Sequence, residues 1–253
     1  MTSYEKALDI WHSRNITTEA ELAEALNSHS IAFAFHSGKI ENDNITYHDT
    51  CEIFDHGGVT SYTGDVRSLL EIQNSVTAYY RMLDAFEKRE PLSETLICEF
   101  QGLLTQGTYD TLRYQKGERP GAYKKHDYVT GAKEVGALPE DVPEELAELL
   151  AELEDVEPSQ ALTAAAYFHA KFENIHPFAD GNGRTGRLLM NYLLLLWDHP
   201  PVIIHEEDRR EYYNALEQFD EEQELAPLTA FLRGQTVKTW KARFERERAR
   251  QDK

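Results

Sequence analysis

The sequence predicts an all-α protein, a helical bundle carrying one short β-hairpin flap. Apolar residues recur at steps of three and four through most of the chain, the spacing of one buried helix face. Gly and Pro collect in the gaps between these periodic segments. One stretch breaks the period. Arg119–Leu138 contains Gly121, Gly131 and Gly136, with alternation around Tyr123 and Tyr128–Thr130, and it reads as a hairpin on a helical body. There is no internal repeat and no low-complexity tract.

The elements follow in order. Thr18 and Glu21 form a capping box that opens a helix over Glu19–Leu26. Asp65–Arg89 places Leu69, Ile72, Val76, Tyr79, Tyr80, Leu83 and Phe86 on one apolar face. Further helices are predicted over Ser93–Leu104, Glu144–Leu153, Pro158–Lys171, Arg184–Trp197, Glu207–Phe219 and Pro227–Trp240. From Lys238 to Lys253 the tail holds seven basic and three acidic residues, which suits a solvated last helix whose cations face the C-terminal dipole.

Composition narrows the function classes. Of 253 residues, 41% are hydrophobic and 11% aromatic, so a sizeable core can be buried. Lys+Arg 26 against Asp+Glu 45 gives a net charge of −19, which argues against a nucleic-acid surface, since that needs a dense basic face. Cys51 and Cys98 are too few for a disulfide framework or a four-thiolate zinc site. No apolar run approaches the roughly 18 residues that span a bilayer. The first residues, MTSYEKALDI, lack a signal-peptide apolar core. The expectation is a cytoplasmic protein with no membrane and no nucleic-acid partner.

The chemistry concentrates in His176-Pro177-Phe178-Ala179-Asp180-Gly181-Asn182-Gly183-Arg184-Thr185-Gly186-Arg187. Gly181 and Gly183 precede an apolar helix. A Gly-rich turn feeding a helix N-terminus presents unpaired N–H groups and a partial positive charge, the elements of a phosphate cradle. Arg184 and Arg187, three apart, can fork onto phosphate oxygens. Asp180 is a hard oxygen ligand at the lip of that site and suits Mg²⁺ shared with phosphates. His176 titrates near neutrality and can accept a proton from an attacking hydroxyl. A His before a Pro, or a Gly-Asn-Gly turn, is usually structural when it stands alone. The acid and two arginines in register make that reading hard to hold here.

This segment resembles the Fic signature H-P-F-x-[D/E]-G-N-G-R-x-x-R, with every specified position filled. Arg119–Pro139 is similar to the family's flap, and Arg210-Glu211-Tyr212-Tyr213 to the helix that stacks on adenine. The resemblance implies three regions: 1–90, an N-terminal helical region; 91–235, a Fic-type core; and 236–253, a C-terminal helical tail. It also implies transfer of AMP from ATP to a Ser, Thr or Tyr hydroxyl of a target protein. His176 would be the base, and Asp180 would hold Mg²⁺. Gly181, Asn182 and Gly183 would bind the α-phosphate region, and Arg184 and Arg187 the β/γ end. Val129, Thr130 and Gly131 of the flap and Tyr212 and Tyr213 would complete the nucleotide site. The target would dock on the flap. Asp220 stands where the adenine-side helix often carries Asn, which bears on base selectivity. Gly183 stands where a phosphotransferase branch has Lys, and the space it leaves favours AMP transfer.

Upstream, Ser37-Gly38-Lys39-Ile40-Glu41-Asn42 is similar to the family's inhibitory motif [S/T]-x-x-x-E-[G/N]. The resemblance implies that Glu41 pairs with Arg187 and takes the guanidinium meant for the γ-phosphate, with Ser37 as part of the same motif. Two other readings accompany this one: removal of AMP from a modified protein at the same site, and a nucleotide-sensing binding protein without turnover. A DNA-binding regulator is the least favoured. A homo-oligomer is a further assembly that the reading allows.

Overall fold

The computed structural model describes residues 2–60, 62–128 and 136–251, without the side chains of Ser28 and of residues 242–251. Its α-helices are α1 (Ser3–His12), α2 (Glu19–Glu41), α3 (Tyr47–His56), α4 (Val66–Glu87), α5 (Glu94–Thr105), α6 (Thr111–Gln115), α7 (Val142–Ala151), α8 (Ala161–Ile175), α9 (Asn182–Leu196), α10 (Arg209–Glu222) and α11 (Ala226–Gln251). The all-α prediction holds among these residues.

Local chemistry explains the helix starts. Thr2 with Glu5 and Thr18 with Glu21 each close a reciprocal capping box, while Thr46, Asp65, Ser93 and Asp110 cap α3 to α6. The sequence pattern does not predict α1, α3 or the five-residue α6. Helices α1 and α3 each bury only two side chains, Ala7 and Trp11 in one and Thr50 and Ile53 in the other, and α6 buries none, so none carries a strong period. The pattern also ends α2 at Leu26. The polar run Asn27–Ser30 interrupts the apolar pattern there, yet the helix continues to Glu41 because His29, Phe33, Ala34, Ser37 and Ile40 are buried.

Two apolar clusters meet on α8 and α9. The first joins Trp11 and Leu22 to Tyr79, Phe100, Phe168, Phe178, Leu189 and Trp240, so the N-terminal helices share one core with α5, α8, α9 and α11. The second packs Ala166, Met190 and Leu194 against Tyr212, Phe219 and Leu228. Helix α9 is therefore enclosed all round, as the apolar residues on every face between Leu188 and Leu195 require. Asn191, buried among these apolar residues, is satisfied by backbone. Its Oδ1 accepts the Val202 N–H at 2.6 Å, and its Nδ2 donates to the Arg187 and Val202 carbonyls at 3.0 Å.

The hairpin expectation is corrected. There is no strand among the described residues, and Val129, Thr130 and Gly131 lie outside them. Three main-chain donors from the described ends of this segment are committed to the helical body. Gly121 N–H donates to Gln101 Oε1 at 2.6 Å, Lys124 N–H to the Pro177 carbonyl at 2.9 Å, and Ala137 N–H to the Ile175 carbonyl at 2.9 Å. The two described ends of this segment thus grip the main chain on either side of His176.

Replacing Asn191 by Ala strands a buried Val202 N–H. The variant is expected to lose about 2–3 kcal/mol of stability, read as a lower urea midpoint at unchanged slope.

Candidate active site

The turn between α8 and α9 is built by its own residues. His176 caps α8 with a left-handed φ of 50°, and its N–H donates to the Phe172 carbonyl. The Asn182 side chain closes on Phe178: Oδ1 accepts the Phe178 N–H at 2.9 Å, and Nδ2 donates to the Phe178 carbonyl at 2.8 Å. This amide therefore shapes the loop, and only its backbone N–H is left to face a ligand. Gly181, at φ 81°, is the N-cap of α9 and offers no side-chain cap. The first N–H groups of α9 stay open to an anion. A Cβ on Gly181 would sit 2.5 Å from Thr105 Cγ2, so α5 packs directly against the turn. Gln101 fastens it from the same helix by donating to the Asp180 carbonyl at 2.8 Å.

A cleft of about 620 Å³ opens on this turn, with Glu41, Arg67, Tyr128, His176, Asp180 and residues 181–184 among its lining. Of the two predicted arginines, Arg184 lines the cleft and Arg187 lies beside Gly183. An added Cβ on Gly183 would lie 2.9 Å from Arg187 NH1, and one on Gly181 3.7 Å from Arg184 NH2. Arg187 is 2% exposed. Its NH2 donates to Glu41 Oε1 at 2.9 Å and to the Ser37 carbonyl at 2.8 Å, and its Nε donates to Ser37 Oγ at 3.0 Å. Ser37 and Glu41, one helical turn apart on α2, thus hold one guanidinium together. A Cβ on Gly183 would collide with Glu41 Oε1, so glycine at that position admits the carboxylate.

The titratable groups are sharply perturbed. Burial, reinforced by the Lys124 cation, pushes the His176 imidazole down to about 4, so it is neutral near pH 7 and able to accept a proton. Lys124 is itself buried, its Nζ without a hydrogen-bond partner among the described residues, and burial lowers its pKa. Burial pushes Glu173, one turn before His176, up to about 8.

The two predicted tyrosines separate. Tyr213 is 44% exposed, and Glu41 and Arg187 both act on its hydroxyl. Tyr212 is 1% exposed and lies behind the cleft wall, with its hydroxyl 2.7 Å from His169 Nε2 and the two rings stacked at 5.7 Å. Asp220 accepts from Asn174 Nδ2 at 2.8 Å. Sequence reasoning missed Arg67, Glu71, Gln101, Arg113 and Lys124. Only the Glu71–Arg67 pair left a trace, as opposite charges four apart on a predicted helix.

Residues 91–194 match the model of the Fic/DOC family. This chain carries a Fic domain. The insect proteins named protein adenylyltransferase Fic are 49% identical in Drosophila persimilis and 48% identical in Aedes aegypti over 75 residues. That match covers 30% of this chain and spans 15% of the relatives' own length. The fold is shared more widely. A Fic-domain-containing signaling protein from Bacteroides thetaiotaomicron superposes with a TM-score of 0.78 at 24% identity over 94% of both chains. Fic-1 of C. elegans does so at 0.75 and 23% identity over 97% of this chain and 73% of its own. The likeness of fold therefore extends over the N-terminal helices that carry Glu41.

Stability of this Fic fold should be limited on both sides of neutrality. Burial lowers His36, His176 and His199 to about 4 and His169 to about 3, against an ordinary 6.5. The unfolded chain then binds more protons than the folded one from about pH 6.5 down to about 4, so stability falls as pH falls. Glu173 runs opposite. The folded state holds its proton from its ordinary 4.5 up to about 8, so its contribution is lost as pH rises through that window. Melting temperature measured against pH should decline toward both ends, and Glu173→Gln should flatten the alkaline decline while leaving the acid one.

Proposed function

We propose that this chain is a protein adenylyltransferase that moves AMP from ATP to a Ser, Thr or Tyr hydroxyl of a target protein and of itself, and that Glu41 restrains it. The observation that carries this reading is the buried Arg187 at the open N-terminus of α9, paired with Glu41 beside a neutral His176. A guanidinium in that position answers a phosphate, and the carboxylate occupies the same group.

In this reading the triphosphate lies along the start of α9. Backbone N–H groups of Asn182 and Gly183 meet the α-phosphate region, and Arg184 and Arg187 hold the β/γ end. Tyr213 borders the adenine. His176 takes the proton of the incoming hydroxyl as its oxygen bonds to the α-phosphorus, and the bond to pyrophosphate breaks. Positioning and charge neutralisation do most of this work, since the attacked phosphate brings its own electrophile. Among the described residues no group of three or more His, Cys, Asp or Glu is arranged to hold a metal ion. Asp180, at the lip of the α9 turn, supplies hard carboxylate oxygen at the cleft, which fits a Mg²⁺ that arrives with the nucleotide and keeps phosphate oxygens as its other ligands. Such an ion would neutralise phosphate charge as pyrophosphate leaves. Glu41 blocks the γ-phosphate's partner and leaves the nucleotide out of line for attack.

The same contact favours a second reading, hydrolysis of AMP from a modified protein. Glu41 shares the cleft with His176, and there its carboxylate would orient the attacking water.

Intact-mass measurement after incubation with ATP and Mg²⁺ tests the proposal. Glu41→Gly should gain AMP units and label far more strongly than wild type, and Glu41→Gly with His176→Ala should gain none. Equal labelling of wild type and Glu41→Gly would refute the restraint. Release of AMP from a pre-modified target by wild type, lost in Glu41→Gly, would instead support the hydrolytic reading.

A further inference from the structure

The cleft holds a second chain of contacts, running from the end of α2 to Asp180. Asn42 follows Glu41 as the C-cap of α2. Its Nδ2 donates to Glu71 Oε2 at 2.7 Å and to Ser68 Oγ at 2.9 Å. Glu71 is 4% exposed on α4. Its Oε1 accepts from Arg67 Nε at 2.9 Å and lies 3.4 Å from Arg184 NH1. The outer nitrogen of Arg67, NH2, then donates to Asp180 Oδ2 at 2.8 Å. The other guanidinium groups near Asp180 stand farther off, Arg184 at 3.5 Å and Arg113 at 3.7 Å.

The anchored and movable ends of this chain differ. Glu71 is buried and held from three sides. The Arg67 side chain is 41% exposed, so its outer amino group can leave Asp180 while Nε keeps its bond to Glu71. A Mg²⁺ ion ligates carboxylate oxygen at about 2.0–2.1 Å. A guanidinium hydrogen-bonded to that same oxygen would be pressed against the ion, and two cations on one oxygen repel strongly where water is scarce.

We propose that Arg67 is a positioning residue that competes with the divalent cation for Asp180, held in that pose by Glu71 and Asn42. The metal–nucleotide complex turns Arg67 off the carboxylate as it enters. Because Asn42 adjoins Glu41, the end of α2 bears on both halves of the site: Glu41 on the arginine of the γ-phosphate, and Asn42 on the carboxylate of the metal. The inference rests on the reading that Asp180 takes a Mg²⁺ brought by the nucleotide.

The test reads binding, not turnover. Affinity of the full chain for α,β-methylene-ATP, whose α–β bridge resists cleavage, is measured by calorimetry in excess Mg²⁺ and in EDTA. The ratio of the two affinities is the magnesium enhancement. Loss of any cleft cation weakens binding of the more highly charged free nucleotide more than of its magnesium complex and so raises the ratio by itself; Asn42→Ala, which keeps every charge, is therefore the deciding variant. Arg67→Met should raise the enhancement by about threefold or more, the scale of one partly exposed ion pair. Asn42→Ala, which leaves every ion pair in place, should move it the same way by less. Asp180→Asn should collapse it. An enhancement that survives Asp180→Asn sinks the metal reading and the proposal with it. Collapse in Asp180→Asn, with no change in Asn42→Ala, overturns the proposal alone and makes Arg67 an ordinary structural cation.

Discussion

A guanidinium buried beside a helix N-terminus needs an anion. Arg187 is enclosed at the start of α9, where the open N–H groups add further positive potential. Leaving that charge uncompensated away from water would be costly. The chain answers with Glu41 and the Ser37 main chain, and a triphosphate would answer the same demand. In the proposed function, binding and restraint would thus be two solutions to one electrostatic problem, which is why they would share an arginine.

The turn that creates this demand is rigid for local reasons. Asn182 closes on Phe178, Gly181 turns where a Cβ would strike α5, and Gln101 grips the Asp180 carbonyl. Phe178 is fully buried and ties the loop to the main core. The segment around residues 119–138 adds two main-chain bonds beside His176, so the imidazole is framed by backbone before any substrate arrives.

Much of this was legible in order along the chain. The His176–Arg187 segment declared an anion site because its glycines, acid and arginines are sequence neighbours whose spacing fits one loop and one helical turn. The partnership of Glu41 with Arg187 was legible only through the resemblance, since nothing in residues 37–42 alone distinguishes that acid from 44 others. The pair Tyr212–Tyr213 shows the limit of reading a motif as a unit. Successive helical positions point about 100° apart, so one ring meets the cleft rim and the other packs against His169. Asn182 shows it too: a polar side chain in a binding motif is spent on the loop's own backbone.

Sequence alone determined the helical class, the loop that carries the chemistry and the residue types that could perform it, because helix period and turn chemistry are short-range properties. The tertiary structure decided which distant charges meet. Arg67 and Glu71 on α4, Lys124 after α6 and Asn42 at the end of α2 converge near residues 176–187 only because α2, α4 and α9 pack side by side. That convergence also sets protonation. His176 is neutral and Glu173 holds its proton through burial. Burial belongs to the packed assembly of helices, and no stretch of sequence encodes it by itself.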